Sequence, residues 1–201
     1  MEANTHAMMA VTALVLVAAI TPGPNNLVVL RAAARSGIAA AAPAIIGIVT
    51  GGLVLLGLVA GGAGAAFAAE PRLRTAIAIG GSLYLSWLGL RLMRVRGGCG
   101  AGPARSDDVA LPAGALALFG FQFLNPKGWM MVLTATAAAP GVAFWHLAAL
   151  FAIVPAVCLT IWSGFGSAMA RHLARPRTAA WFDRAMGALL LASAIALMVE
   201  A

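Results

Sequence analysis

Residues 8–33 read MMAVTALVLVAAITPGPNNLVVLRAA, an apolar run broken at its centre by Thr21-Pro22-Gly23-Pro24-Asn25-Asn26. The run is long enough to cross a bilayer, for which about 20 apolar residues suffice as a helix. Two prolines flanking a glycine cannot continue that helix, because each lacks an N–H and its ring collides with the carbonyl four residues back. In lipid, the backbone groups freed in this way need partners in protein or in a water-filled cavity. Thr21, Asn25 and Asn26 are placed to supply some of them. The stretch reads as a transmembrane helix broken at mid-depth.

The rest of the chain fits the same solvent. Of 201 residues, 62% are hydrophobic and 9% charged, with a mean hydropathy of +0.96, whereas soluble domains carry roughly 25% charged residues. A net charge of +7 would suit a nucleic-acid partner only if it formed a basic face on a soluble fold. Here the arginines lie in short stretches between apolar runs and read as topology signals, so no nucleic acid is expected. Cys99, in a Gly/Arg-rich connector, and Cys158, inside an apolar run, lack metal-ligand spacing. Neither a disulfide, a metal nor a cofactor is expected from them. The stretch Met8 to Ile20 lacks the preceding Lys or Arg of a cleaved signal and follows Glu2 instead.

The pattern predicts an all-α integral membrane protein of about six transmembrane helices, spanning about Met8–Ala33, Ala41–Ala66, Thr75–Met93, Ala113–Thr136, Phe144–Ala168 and Ala179–Val199. Residues 1–201 are expected to form a single transmembrane domain. The first, third and fifth connectors with their flanks hold Arg31, Arg35, Arg91, Arg94, Arg96, Arg105, Arg171, Arg175, Arg177 and Arg184, against Arg72 and Arg74 on the other side. Positively charged loops stay in the cytoplasm, which places both termini outside. Three spans on either side of the connector at about 94–112 suggest two inverted three-helix repeats, at about 8–93 and 113–199, with broken first and fourth helices.

The fourth span carries the second break, Phe119-Gly120-Phe121-Gln122-Phe123-Leu124-Asn125-Pro126-Lys127-Gly128. A cation at membrane depth costs roughly 2.5–3.5 kcal/mol on insertion scales unless it is paired or reaches water. Lys127 is the only lysine in the chain. Where every other basic residue is arginine, a lysine suggests a use for a compact ammonium that can give up its proton. The plain alternative is that the prolines merely kink helices and Lys127 snorkels to an interface. Two breaks in corresponding positions, each with Asn beside Pro, favour a binding site, since paired interrupted helices are a transporter's site signature.

At these residues the chain resembles the lysine exporter (LysE/RhtB) family. The resemblance covers TPGPNN at 21–26, glycines 37, 47 and 51, GGSLYLSWLGLRLMR at 80–94, FGFQFLNPK at 119–127 and WFDRAMG at 181–187. It implies export of amino acids or related metabolites across the bacterial inner membrane, by proton antiport, in a homodimer. Asn25-Asn26 and Phe121-Gln122-Phe123 are most similar to the branch that exports cysteine and O-acetylserine. Asp183 stands where many relatives have Asn, and the usual Pro-Gln-Phe is reduced to Pro140-Gly141-Val142.

An amino acid needs an anion-binding and a cation-binding end. Half-helix N-termini and Lys127 can hold the carboxylate, and freed carbonyls with Asn25, Asn26 and Asn125 the ammonium. The expected substrate-binding set is thus Thr21, Pro22, Gly23, Pro24, Asn25, Asn26, Gln122, Asn125, Pro126 and Lys127. Lys127 and Asp183 are the proton-coupling candidates, although every carboxylate falls in a connector or at a span end in this reading. Trp129 and Trp162 are candidates to line the cavity. The glycine pairs 47/51 and 57/61 suit either a dimer face or intramolecular packing. No convergent His, Asp, Glu, Cys or Ser set points to an enzyme. A channel, or an exporter of another small polar metabolite or ion, is the alternative.

Overall fold

The computed structural model describes residues 2–94 and 114–199. The expected connector at about 94–112 therefore lies almost wholly outside the described residues. In chain order the helices are α1 (Glu2–Ile20), α2 (Pro24–Ser36), a 3-10 turn (Ile38–Ala41), α3 (Ala42–Leu58), a π-helical stretch (Val59–Ala63), α4 (Gly64–Ala69), α5 (Pro71–Arg94), α6 (Ala115–Leu124), α7 (Pro126–Ala138), α8 (Phe144–Leu173) and α9 (Pro176–Val199). Four of them begin on a proline, the position where a missing N–H costs nothing and a fixed φ helps. Gly37 closes α2 at φ 84, its N–H bonded to the Ala33 carbonyl, a backbone angle that favours glycine.

Four continuous stretches are long and apolar enough to cross a membrane: Ile38–Ala69, Pro71–Arg94, Phe144–Leu173 and Pro176–Ala196. Thr5–Ile20 and Pro24–Ser36 make a fifth if the pair, bent by 53°, is taken as one span. The expected fourth span is two helices of 10 and 13 residues. Neither half reaches the roughly 20 residues a crossing needs. Large apolar side chains such as Leu116, Trp145 and Trp181 stand mostly exposed, as a lipid-facing surface requires.

Among the main packings, α5 lies along α9, α2 along α8 and α3 along α6. Small residues let these backbones approach, the usual device of membrane helices. A Cβ at Gly47 would run into the Ala115 carbonyl, and one at Gly51 would sit 2.7 Å from the Phe119 oxygen. The 47/51 pair is thus an intramolecular contact with α6. Glycines 57 and 61 face open space. Between α5 and α9, Gly89 and Gly187 oppose each other so closely that a Cβ on either would meet the other's carbonyl oxygen at 2.8 or 2.6 Å. Among the described residues three apolar clusters result, one around Val29, Leu88 and Leu118, one around Val15, Leu55 and Phe151 and a small one of Ala34, Leu173 and Ala179.

Candidate functional site

Both breaks open on one cavity of about 70 Å³, against the roughly 10–15 Å³ that one water needs. Its polar wall is Gly23, Pro24, Asn25 and Asn26 from the first break with Gln122, Asn125 and Lys127 from the second. The apolar wall comes from α3, α7 and α8, with Ile48, Leu55, Met131, Phe151, Pro155 and Leu159.

The polar wall forms because each break restarts a helix there. Gly23 precedes α2 and Asn125 precedes α7, both in extended backbone, and neither position carries a side-chain cap. The first intrahelical donors are Leu27 onto Gly23 and Gly128 onto Asn125. Helix geometry leaves the N–H groups of Asn25, Asn26 and Lys127 without an intrahelical acceptor. Each half-helix N-terminus also carries the positive end of its dipole. Two such ends and an ammonium therefore meet at one cavity.

The carbonyls left at the end of α1 are met by donors from elsewhere. Asn26 Nδ2 donates to the carbonyls of Ala19 (3.1 Å) and Thr21 (2.9 Å). Lys127 Nζ also donates to Thr21 O at 2.9 Å, lying over Gly23, where a Cβ would stand 3.4 Å from it. The Trp162 indole donates to Ile20 O at 3.2 Å. Across the cavity wall, Asn25 and Gln122 exchange amide bonds of 3.0 and 3.3 Å, and Gln122 Nε2 also donates to Leu118 O. Asn125 Nδ2 reaches Gln122 Oε1 at 3.5 Å. The two breaks are thereby joined through Lys127–Thr21 and Asn25–Gln122.

Seven of the ten residues expected to bind substrate line the cavity. Thr21 contributes its carbonyl, while its hydroxyl donates back to Val17 O. Pro22 faces a small apolar cleft on the other side of the break, with Trp162 and Met186. Pro126 opens α7 without lining the cavity. Neither Trp129 nor Trp162 lines it; the Trp129 indole donates to Phe123 O at 3.0 Å and closes the second break.

Asp183 lies outside the cavity lining. It is buried on α9 and paired with Arg31 of α2, with N···O distances of 3.0 and 3.3 Å. Arg31 is itself buried inside α2, so it is no connector charge and drops out of the topology count. Counting charges along a sequence cannot separate the two cases, because the partner is 152 residues away.

Pro155 and Gly52 are among the lining residues that the sequence reading did not name. Pro155 sits inside α8 and, having no N–H, leaves the Phe151 carbonyl without its helical partner on the stretch that lines the cavity. A proline within the fifth apolar run was the available signal. Gly52 gave no signal beyond being one glycine among several.

The chain matches the family described as LysE type translocator over residues 16–201. It is 31% identical over 121 residues to the cysteine/O-acetylserine efflux protein of Salmonella paratyphi A, covering 60% of this chain and 58% of that protein. The protein of the same name in Escherichia coli is 27% identical over 113 residues, or 56% and 54% of the two chains. An uncharacterized membrane protein of Pseudomonas aeruginosa is 29% identical over 180 residues, 82% of this chain and 77% of that one. The chain thus spans somewhat over half the length of the efflux proteins it matches. No solved structure matches.

Proposed function

The chain belongs to the LysE type translocators, and on that premise we propose that it is a secondary transporter exporting small neutral or polar amino acids or their derivatives, of the kind of cysteine, O-acetylserine, homoserine or threonine. In this reading it works in the bacterial inner membrane, as a homodimer, by proton antiport. The observation that carries the proposal is the convergence of two half-helix N-termini and Lys127 on one cavity. That arrangement suits a carboxylate. The opposite requirement, a place for the ammonium, is met by side-chain oxygens of Asn26 and Asn125 and by the Phe151 carbonyl. The carbonyls of Ala19, Ile20 and Thr21 already hold protein donors.

Of the two coupling candidates, Lys127 is the one in the cavity, where binding substrate and exchanging a proton involve the same atom. Asp183 is occupied with Arg31. Six crossings follow if α6 and α7 together make one broken span, like α1 and α2. Two inverted repeats are supported at the level of whole spans, since exchanging the first span with the fourth, the second with the fifth and the third with the sixth maps the packing of α1 and α2 on α8 onto that of α6 and α7 on α3, and α5–α9 onto itself. Arg35, Arg91, Arg94, Arg171, Arg175 and Arg177 outnumber Arg72 and Arg74, which supports both termini outside.

The test is efflux of preloaded labelled amino acids from right-side-out vesicles, with inside-out controls and with or without a proton gradient. Wild type should export one class in a gradient-dependent manner. Lys127→Ala, at equal membrane abundance, should lower the rate at least about a hundredfold, the loss of both the binding charge and the coupling group, each worth a factor of ten or more in rate. Gradient-independent flux would favour a channel, and no flux of any amino acid would refute the exporter reading.

A further inference from the structure

We propose that Gly52 on α3 sets the size of the substrate side chain that the cavity admits. This rests on the reading of the cavity as an amino-acid site.

The glycines of this second apolar run have distinct surroundings. Gly47 and Gly51 are pressed against α6, where a Cβ has no room. Gly62 takes φ 110, a backbone angle closed to most residues. Gly52 shows neither constraint: it lies inside regular α3, and a Cβ there would meet no atom within 4 Å. Alanine is the better helix former, so neither packing nor local conformation calls for glycine at this position. What marks it is that it lines the cavity.

Ile48, Gly52 and Leu55 are spaced i, i+4, i+7 and all line that cavity, so they form one stripe of α3 facing it. Side chains of such a stripe stand on the same face. A side chain at 52 would therefore project into the space between Ile48 and Leu55. The polar wall grips the carboxylate and ammonium that every α-amino acid carries. The variable part is left to the apolar wall, where Met131 and Phe151 fill the remaining sides and the bare backbone at Gly52 supplies the room.

The experiment measures efflux of a labelled series of increasing side-chain size, from alanine and serine through cysteine, threonine and homoserine to methionine and phenylalanine. It compares wild type with Gly52→Ala, Gly52→Val and Gly164→Val, since Gly164 also faces open space but lies outside the cavity lining. One methylene more or less in an apolar pocket changes discrimination by roughly 10–200-fold. Gly52→Val should therefore lower export of the largest wild-type substrate by about tenfold or more relative to alanine, with Gly52→Ala intermediate. Gly164→Val should keep the wild-type ranking. A uniform loss across the series in Gly52→Val, or an unchanged ranking, would overturn the assignment of Gly52 while leaving the exporter reading in place. A wild type that exports no member of the series would overturn both.

Discussion

The two breaks use the same residue types, Asn beside Pro, yet they are held by different means. At the first, the axis turns by 53°, and the exposed carbonyls are capped by Asn26 from beyond the break, by Lys127 from α7 and by Trp162 from α8. At the second, the partners are near in sequence: Trp129 on Phe123 and Asn125 on Gln122. The first break depends on tertiary structure, the second largely on its own segment. Any movement of Lys127 from Thr21 toward a substrate removes a cap from the first break and none from the second.

The largest test of this asymmetry lies one turn and a half beyond the first break. Arg31 pins α2 to Asp183 of α9, whereas the only charged residue on α7 is Lys127 at its start. Removing one member of a buried pair leaves the other charge uncompensated, at a cost of about 3–5 kcal/mol. Asp183→Ala should lose that much stability by thermal unfolding in detergent, and Arg31→Leu with Asp183→Leu should recover most of it. A single variant as stable as wild type would remove the anchor from the comparison.

This pair also marks where sequence reading stopped. Proline chemistry is local, so both breaks, the cavity-facing asparagines and Lys127 were legible from residues 21–26 and 119–128. Burial of Arg31 was not, because a charge near the end of an apolar run looks the same whether it meets headgroups or a carboxylate on another helix. The burial and pairing of Asp183 were illegible for the same reason. The glycines divide likewise: a GxxxG spacing at 47/51 announces close approach but cannot say to what, and only the position of α6 decides that it is internal. Gly52 differs from Gly51 by 100° around the helix, and nothing in the sequence says which of the two faces a cavity. The fourth span reads as broken at Asn125-Pro126, and the helix is interrupted there.

A smaller effect separates the breaks directly. Asn26 holds two carbonyls of the first break, and Asn26→Ala leaves that of Ala19 without this donor and that of Thr21 with Lys127. Each buried group left unsatisfied costs about 1–3 kcal/mol. Asn125→Ala removes only a 3.5 Å contact and no cap, so its loss should stay below about 1 kcal/mol. Equal losses in thermal or denaturant unfolding would contradict the distinction between tertiary and local support.

The smallest change is the most discriminating. Trp162→Phe and Trp129→Phe each delete one indole donor to a carbonyl at a break while keeping an aromatic ring, including the stack of residue 129 on Phe67. Each should cost about 1 kcal/mol, a typical net hydrogen bond, so stability cannot tell them apart. Transport can. The Ile20 carbonyl belongs to the break whose caps include Lys127, so losing the Trp162 cap shifts the end of α1 against which that ammonium is held. Phe123 ends a turn that α6 and α7 close between themselves. Efflux should fall several-fold in Trp162→Phe and stay near wild type in Trp129→Phe. The reverse order would place the moving part at the second break, and equal losses would make the two breaks equivalent halves of one site.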